Sequence, residues 1–345
     1  MHIYNIKLKY TLHLPLMLIL VILLILSSGF VVADNMTVST IDVGQGDSIF
    51  IQFPNSSNML VDAGDSAHGK TVVSYLNSLK ISKIDILVAT HPHADHIGGM
   101  SDVLGAFKVG KVWDSGYNHG SQMQRQFLQI IKNKNIRYGT PKAGFTEQIG
   151  TVRVDVLAPV RSLNGTESDA NNNSIILRIS YGKVSFLLMG DAETEERATV
   201  GHWSGSTVLK VAHHGSRNST DAGFLKAVAP KIAIISVAAQ NSYGHPHQQT
   251  MRALKNAKVK VYATATSGTI IISSDGKTLN VKVHGASAAV VPRAIEGGRY
   301  IGNVRSHVFH RPTYPSLPAE KNRIYLSSCK DAIAKGFRPC GRCQP

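Results

Sequence analysis

The sequence predicts an α/β fold, a four-layer αββα sandwich followed by a small C-terminal module of a different kind. Two observations support this prediction. Strand-like and helix-like patterns alternate through two successive halves of the chain, and each half can form a sheet with helices on its outer face. The three cysteines all lie near the C-terminus, at positions 329, 340 and 343, so the main domain depends on its apolar core and not on disulfides.

The elements of the two halves follow from runs of apolar residues and from the turn residues between them. In the first half the predicted strands are 37–43, 48–53, 59–62 and 84–90, and the predicted helices are 70–79 and 121–133. In the second half the predicted strands are 175–180, 184–189, 207–212, 231–237 and 260–264, with helices near 224–228 and after Gln248.

The first 33 residues are predicted to be a signal peptide or a membrane anchor. Lys7 and Lys9 precede an apolar run from Leu14 to Leu26, and a candidate cleavage site follows at residues 31–33. If the run continues beyond the serines it approaches the ~20 residues of a membrane span. We expect residues 34–285 to form the main domain, 286–298 a linker rich in Ala, Val and Gly, and 299–345 the C-terminal module.

The composition is that of an ordinary globular protein, with 43% hydrophobic and 17% charged residues, which excludes a disordered chain. Thirty-seven Lys and Arg against 22 Asp and Glu leave a formal charge of +15. This favours polyanionic partners, either nucleic acid or an anionic membrane surface. Residues 299–345 hold nine Lys or Arg and two acids, a net +7, so about half of the excess lies in the predicted module.

Four side chains that bind metals occur within six residues, directly after the buried strand predicted at 84–90. A loop at the end of a strand can turn alternate side chains inward. His91 and His93 can therefore hold one ion while Asp95 and His96 reach a second. The alternative is a polar loop with unrelated histidines, which such a dense run of ligands disfavours.

Further ligands are expected at the ends of two later strands. Asp191 follows the apolar run VSFLLMG and would be an unpaired carboxylate unless a cation met it, as a bridge between two metals would. His213 and His214 follow STVLKVA. One of them completes the second metal site and the other faces the substrate, and the sequence leaves open which. A turn aspartate and two structural loop histidines are the alternatives.

These residues match HxHxDH, the signature of the metallo-β-lactamase superfamily, and the chain resembles the extracellular hydrolase domain of ComEC-type DNA-uptake proteins. The resemblance runs in family order over nearly the whole main domain and implies the αββα metallo-β-lactamase sandwich. Its motifs are DVGQGDS at 42–48, LVDAG at 60–64, THPHADHIGG at 90–99, NNNS at 171–174, LLMGD at 187–191, HHGS at 213–216 and YGHPH at 243–247.

The resemblance also implies roles for individual residues. Asp62 is implied to be the buried carboxylate that steadies the HxHxDH loop. Many superfamily hydrolases have a third histidine for the first metal where residues 171–173, all asparagines, stand here, and Asn173 is the candidate ligand. An amide oxygen is a weaker and harder ligand than imidazole, so the two divalent ions are expected to be Zn or Mn. Gln45 and Asp47 are implied to line the cleft.

A two-metal centre activates a water for in-line attack on phosphorus, so no protein nucleophile is required. Asp95, through its metal, and His245 in YGHPH are the candidate catalytic residues. His245 would protonate the departing alkoxide or bind the phosphate. Ser216 and Ser219 could donate hydrogen bonds to a phosphate, although serine-rich turns often have no further role.

The last segment resembles the zinc-binding module of Ada-type DNA repair proteins through YIGN, FHRP, SLPAEKNR and FRPCGRC. The resemblance implies one zinc ion bound by His310, Cys340 and Cys343. Tyr314 occupies the position of the fourth ligand, normally a cysteine. Cys329, a water or Tyr314 would then complete the site, or the module binds zinc weakly. A disulfide within CGRC is the alternative for an exported chain.

We therefore expect an exported metal-dependent phosphodiesterase that cuts DNA, either extracellular or anchored to the outer face of the cytoplasmic membrane. The basic module would bind DNA and raise its local concentration at the active site. A separate DNA-uptake channel is an expected partner. The alternatives are a phosphodiesterase acting on phosphocholine or wall-polymer esters and a catalytically silent DNA-binding protein at the cell surface.

Overall fold

The computed structural model of the protein describes residues 35–285, 300–311, 317–318, 322–326 and 329–340. The predicted signal peptide or anchor and the predicted linker lie outside these residues, as do Tyr314 and Cys343. Within the described ranges, none of the helices has both the length and the apolarity that a membrane span requires.

Fifteen strands of the main domain form two sheets. In chain order they are β1 (Met36–Thr40), β2 (Ile49–Gln52), β3 (Asn58–Val61), β4 (Lys83–Ala89), β5 (Lys108–Asp114), β6 (Arg137–Gly139), β7 (Thr146–Ile149), β8 (Val152–Ala158), β9 (Ile176–Tyr181), β10 (Val184–Leu188), β11 (Val208–Lys210), β12 (Ile232–Ile235), β13 (Lys260–Ala263), β14 (Ile270–Ser274) and β15 (Leu279–Val283). The first sheet has the order β15-β14-β1-β2-β3-β4-β5-β6, and the second has the order β13-β12-β11-β10-β9-β8-β7.

The helices of the main domain lie on the outer faces of the two sheets. They are α1 (Gly69–Ser78), α2 (Ala94–Ile97), α3 (Met100–Ala106), α4 (Gln122–Asn133), α5 (Thr194–Thr199), α6 (Ala222–Val228), α7 (Gln248–Asn256) and α8 (Thr264–Ser267). Side-chain caps begin two of them: Ser121 Oγ accepts from Gln124 N at 3.2 Å, and Asp221 Oδ1 accepts from Phe224 N at 2.8 Å. Such caps satisfy backbone donors that the first helical turn leaves free.

Three apolar clusters correspond to the spaces between four layers. Ile51 and Phe186, from different sheets, belong to the central cluster between the sheets. Leu76 and Phe127 belong to a cluster that joins α1 and α4 to the first sheet, and Leu225 belongs to one that joins α6 to the second. The predicted four-layer αββα arrangement is therefore confirmed.

The direction of the parallel strands in both sheets determines where the loops that carry the candidate ligands lie. β3, β4 and β5 run parallel in the first sheet, and β10, β11 and β12 run parallel in the second. The carboxyl ends of parallel strands lie at one edge of a sheet, which is where α/β proteins place their sites. Asp62, His91, Asp191 and His213 all follow such ends closely in the chain.

The C-terminal module has a sheet of its own, built from β16 (Tyr300–Asn303), β17 (Val308–His310), β18 (Arg323–Leu326) and β19 (Arg338–Pro339), with helix α9 (Cys329–Ala334). The strand order is β18-β16-β17-β19. Its small core contains Phe309, Leu326, Ala332 and Phe337. Gly302 is required there, because a Cβ at this position would lie 2.7 Å from Ile324 Cγ2.

Candidate metal centre

A buried carboxylate fixes the loop that contains the HxHxDH signature. Asp62, directly after β3, accepts hydrogen bonds from the backbone N–H of Thr90 at 2.8 Å and from its hydroxyl at 2.6 Å. It also lies 2.8 Å from Nδ1 of His96. An ionised carboxylate only accepts, so the proton of His96 is on Nδ1 and Nε2 is left to face the centre.

One set of ligands surrounds the carboxylate of Asp191. Ligand atoms of Asp95, His96, Asp191 and His214 all lie within 4.8 Å of one another. His96 Nε2 is 3.3 Å and His214 Nε2 is 3.5 Å from Asp191 Oδ2, and His214 Nε2 is 3.1 Å from Asp95 Oδ2. Two imidazoles and two carboxylates are a donor set suited to Zn²⁺ or Mn²⁺.

His91 and His93 form a second set of candidate ligands next to the same carboxylate. His91 Nε2 lies 3.8 Å from Asp191 Oδ2 and 3.1 Å from His93 Nδ1. Asp191 Oδ2 is therefore shared between the histidines predicted for the first ion and those predicted for the second. Together the two sets are the residues that would hold a pair of cations.

Two atoms in the middle of the cluster show that the residues fit cations. His96 Nε2 and Asp191 Oδ1 are buried and make no hydrogen bond with any part of the chain that the structure describes. Burial raises the pKa of Asp191, but His96, His214 and His213 outweigh it and hold the pKa well below its ordinary range. A buried anion without a hydrogen bond is costly unless cations meet it.

Metal binding at this centre must release protons. Burial lowers the pKa of His214, but the carboxylates of Asp191, Asp47 and Asp95 outweigh burial and raise it to about 10. A similar balance raises the pKa of His96 well above its ordinary value. Cations compete with these protons for the imidazole nitrogens, so their affinity should rise with pH.

The comparison with known families agrees with this geometry. Residues 41–239, which carry all the ligands named above, match the family described as the metallo-beta-lactamase superfamily. This chain belongs to that superfamily. Residues 289–345 match the metal binding domain of Ada. Both resemblances inferred from the motifs are thus confirmed.

Similar proteins include three curated relatives. ComE operon protein 3 of Bacillus subtilis (strain 168) is 31% identical over 68% of this chain and 32% of its own length. Competence protein ComA of Neisseria gonorrhoeae is 31% identical over 71% of this chain and 34% of its own. Recombination protein 2 of Haemophilus influenzae is 32% identical over 68% of this chain and 28% of its own. The chain therefore spans about a third of the length of these relatives.

A solved structure supports the fold. The metallo-beta-lactamase fold protein YhfI from Bacillus subtilis has a TM-score of 0.50 to this superfamily member, at 13% identity. The match covers 70% of this chain and 100% of YhfI.

His213 and His214 have different contacts, which separates the two candidates for the second metal site. Both have left-handed backbones, with φ of 46° at His213 and 52° at His214. His214 belongs to the ligand set, and its Nδ1 bonds the carbonyl of Ser236 at 3.0 Å. His213 instead bonds Glu193 Oε1 through Nδ1 at 2.8 Å, and its Nε2 lies 3.7 Å from Asp191 Oδ2. His213 is thus outside the clustered ligand set, although both histidines line the pocket.

The pocket next to this metallo-beta-lactamase centre has a volume of about 320 Å³. It lies between the ligand loops and the loop that contains YGHPH. Its lining residues are Gln45, His93, Ala94, Asp95, Asn171, Asp191, His213, His214, Tyr243 and His245. Of the residues predicted to bind substrate, Gln45 is here, and its Oε1 accepts from Ala238 N at 3.3 Å.

Asp47 was predicted to line the cleft, but it is buried next to His214 and does not line the pocket. It is 2% exposed and pairs with Lys210 Nζ at 2.8 Å, while Lys210 is itself 1% exposed. The other oxygen of Asp47 lies 3.5 Å from His214 Nδ1. Because Asp47 is buried behind a ligand, it supports His214 and does not contact substrate.

The serines of HHGSRNST also stabilise their own loop. Ser219 is 0% exposed and its hydroxyl donates to the carbonyl of Ser216 at 2.5 Å. Thr250 from α7 donates to the same carbonyl at 2.7 Å. Neither serine lines the pocket. The alternative interpretation of these residues, as turn formers, describes their positions.

Asn173 is directed away from the predicted ligand position. Its Oδ1 accepts from Leu163 N at 3.0 Å, and its Nδ2 donates to the carbonyls of Leu163 and Asp169. The amide is therefore occupied in holding the preceding loop. Asn171 lines the pocket instead, with a buried Oδ1 that makes no hydrogen bond in the described parts of the chain.

His245 lies in the pocket as expected, and its environment favours one of its two predicted roles. Burial, together with His213, His214 and His247, lowers its pKa to about 2. Cations at the centre would act in the same direction. A neutral imidazole offers one N–H but no spare proton, so binding a phosphate oxygen fits His245 better than protonating a leaving group.

The predicted zinc ligands of the module lie on two neighbouring strands where they are described. His310 ends β17, and Cys340 follows β19, which pairs with β17. The backbone N–H of Cys340 donates to the carbonyl of Phe309 at 3.0 Å. Cys329, at the start of α9, packs against the module's core. The prediction for Cys343 lies outside the described residues.

Glu193 and Lys210 belong to the site but were not predicted from the sequence, although the position of each in the sequence indicates a role. Glu193 follows Asp191 by two positions, and its extended backbone directs alternate side chains to one side. Lys210 is a lone charge in an apolar strand that leads into the ligand histidines. A lysine at such a position indicates a buried partner.

Proposed function

We propose that this protein is an exported, metal-dependent phosphodiesterase and that its substrate is DNA. The observation that carries the proposal is the position of Asp191 Oδ2, which lies 3.8 Å from His91 Nε2 and 3.3 Å from His96 Nε2. A carboxylate that lies next to two groups of candidate ligands would allow two cations to be held close together, as two-metal hydrolysis requires.

The candidate ligands around Asp191 would hold divalent cations, which would supply charge neutralisation at a phosphate and an activated water. The chain's own residues supply orientation and proton transfer. Glu193 accepts the Nδ1–H of His213 at 2.8 Å, so Nε2 of His213 faces the pocket. When Nε2 is protonated it can give its proton to the departing oxygen. The N–H of His245 and the amide of Gln45 can donate to the other phosphate oxygens.

Charge and relationship support DNA as the substrate. The chain has a formal charge of +15, of which the module's 47 residues from Arg299 carry +7. A basic module tethered to a hydrolase concentrates a polyanion at its active site. Two of the relatives are named as competence proteins or for recombination. By analogy we propose action outside the cytoplasmic membrane, either secreted or anchored, next to a separate DNA-uptake channel.

The test is hydrolysis of labelled DNA and of bis(p-nitrophenyl) phosphate by the purified chain, with added Mn²⁺ or Zn²⁺. His93→Ala and Asp191→Ala should each abolish cleavage of both substrates while circular dichroism shows a folded protein. Full cleavage by either variant would refute the two-metal assignment. Hydrolysis of the small diester without cleavage of DNA would instead support the wall-polymer or phosphocholine alternative.

The role of His213 has its own test. Glu193→Gln should lower turnover by about 10²-fold, since general acid catalysis contributes about 10²–10⁴, and should leave the bound metal unchanged. Glu195→Gln is the matched control, because Glu195 is exposed and its one side-chain hydrogen bond within the described residues is with Asn172, at 3.3 Å. Equal activity of the two variants would contradict a proton donor oriented by Glu193.

A further inference from the structure

A group of cationic and aromatic side chains lies at the mouth of the metal pocket, outside the ligand set. Tyr243 is 51% exposed and lines the pocket, and its ring stacks on His245 with centroids 5.6 Å apart. The group contains side chains from two separate parts of the chain, the YGHPH loop with its neighbours and the C-terminal module.

The C-terminal module reaches this mouth through one arginine. Arg311 follows β17 directly, and its Nη1 donates to the carbonyl of Tyr243 at 3.4 Å. Both Arg311 and Arg217, which follows the ligand histidines, act electrostatically on His247, whose pKa falls to about 4 through burial and these two charges. The two guanidinium groups of different domains are therefore close to one imidazole.

The hydrogen bonds of His247 point to a missing acceptor. Its Nδ1 accepts from the backbone N–H of Arg217 at 3.1 Å. A neutral imidazole accepts at one nitrogen only, so Nε2 carries the proton. Yet Nε2 lies 3.2 Å from Nη2 of Arg217, which is also a donor. Two donors that face each other at this distance become favourable when they share an anionic oxygen.

We propose that Arg217, His247 and Arg311 form a phosphate subsite that holds the nucleotide next to the scissile phosphate, with Tyr243 as the stacking surface for its base. This inference rests on the proposed function, which supplies DNA as the substrate. Bidentate guanidinium groups recognise phosphate, and exposed aromatic rings stack with bases of single strands whatever their sequence. The C-terminal module thus contributes directly to the substrate-binding site, in addition to its general charge.

The experiment measures DNA binding apart from hydrolysis. A fluorescent single-stranded oligonucleotide is titrated with the full chain as purified, in the His93→Ala background that should prevent cleavage, and anisotropy is followed from low to high salt. Arg217→Ala and Arg311→Ala should each weaken binding about tenfold, and the double variant should lower the slope of log K against log salt by about 0.7, the value for one phosphate contact on a single strand. Tyr243→Ala should weaken binding with an unchanged salt slope, because stacking releases no counterions.

Matched controls are Arg252→Ala in the main domain and Arg305→Ala in the module. Both side chains are exposed, and among the residues that the structure describes Arg252 bonds only Gln248, in its own helix. If the controls weaken binding as much as the two test variants, or if the test variants bind like the wild type, the subsite is refuted. The double variant Arg217→Ala/Arg311→Ala should lose less than the product of the single losses, since both residues contact one phosphate; independent losses would also overturn the proposal.

A parallel assay separates this inference from the function on which it rests. Arg217→Ala and Arg311→Ala should raise KM for DNA by a larger factor than KM for bis(p-nitrophenyl) phosphate, which has no neighbouring nucleotide, whereas Arg252→Ala and Arg305→Ala should change neither KM. If the wild type hydrolyses neither substrate, the proposed function fails, yet the anisotropy measurement still decides whether the three residues bind DNA.

Discussion

The buried pair of Lys210 and Asp47 offers the sharpest test of how the centre is built. Lys210 Nζ lies 2.8 Å from Asp47 Oδ2, and the two side chains are 1% and 2% exposed. Lys210→Met keeps most of the apolar stem and removes the charge. The variant leaves Asp47 as a buried carboxylate without the ammonium group of Lys210, next to the candidate ligand His214.

Removing one partner of a buried ion pair costs about 3–5 kcal/mol, because the remaining charge is desolvated and unpaired. Asp47→Asn leaves the lysine in the same condition and should cost a similar amount. The double variant Lys210→Met/Asp47→Asn removes both charges. It should be destabilised by less than the sum of the single variants, with a coupling of about 2–3 kcal/mol.

The assay is urea unfolding followed by circular dichroism, in EDTA so that metal binding does not contribute. We expect a lower midpoint at an unchanged m-value for each single variant. Burial raises the pKa of Asp47, but Lys210 and His214 outweigh it and hold the pKa well below its ordinary 3.8. The stabilisation is therefore present above about pH 4 and is lost as pH falls below it. The difference between wild type and Lys210→Met should narrow in that acid range.

A loss below 1 kcal/mol in Lys210→Met would refute this reasoning. So would strict additivity in the double variant, because it would mean that the two side chains stabilise the fold independently.

Three further predictions concern the metal centre. Gly46→Ala should weaken metal binding, because the added Cβ would lie 2.3 Å from the carbonyl oxygen of Asp95. Gly105→Ala is the control and should leave metal binding unchanged, because a Cβ there would have no heavy atom within 4 Å. Competition with a chromogenic chelator measures the affinity. His214→Ala should lower the bound metal measured by mass spectrometry of the purified protein, whereas His213→Ala should keep the metal and lose turnover, and the reverse result would exchange their roles. Asp62→Asn should lower metal affinity about 10–100-fold, the usual effect of removing a residue that orients a ligand, and an unchanged affinity would contradict its role under the loop.

The strands that lead into the ligands could be predicted because their signal is local. Apolar runs such as those before His91 and Asp191 mark buried strands, and polar residues directly after them mark strand ends. The returning strands β14 and β15 were not predicted. They follow the second half of the chain but pair with the first sheet, where Thr40 of β1 faces Ile270. Periodicity within one strand carries no information about its partner.

The roles of several polar residues depended on contacts between distant parts of the chain. Asp47 was expected in the cleft, yet it pairs with Lys210, 163 positions away. Asn173 was expected to bind metal, yet its amide holds Leu163, and Asn171 faces the pocket. Each was identified as polar and near the site from its motif. Which way the side chain is directed depended on the packing of the neighbouring loops.

By itself the sequence determined the types of ligand and their positions at strand ends, because spacing within a short loop and apolar periodicity are properties of a few consecutive residues. Tertiary structure alone decided that Asp191 Oδ2 lies next to two groups of candidate ligands, that His214 belongs to the clustered set while His213 bonds Glu193, and that Arg311 reaches the mouth of the pocket. These facts depend on how two sheets and a separate module pack. Packing is a balance of burial and pairing among residues more than a hundred positions apart, which no local pattern records.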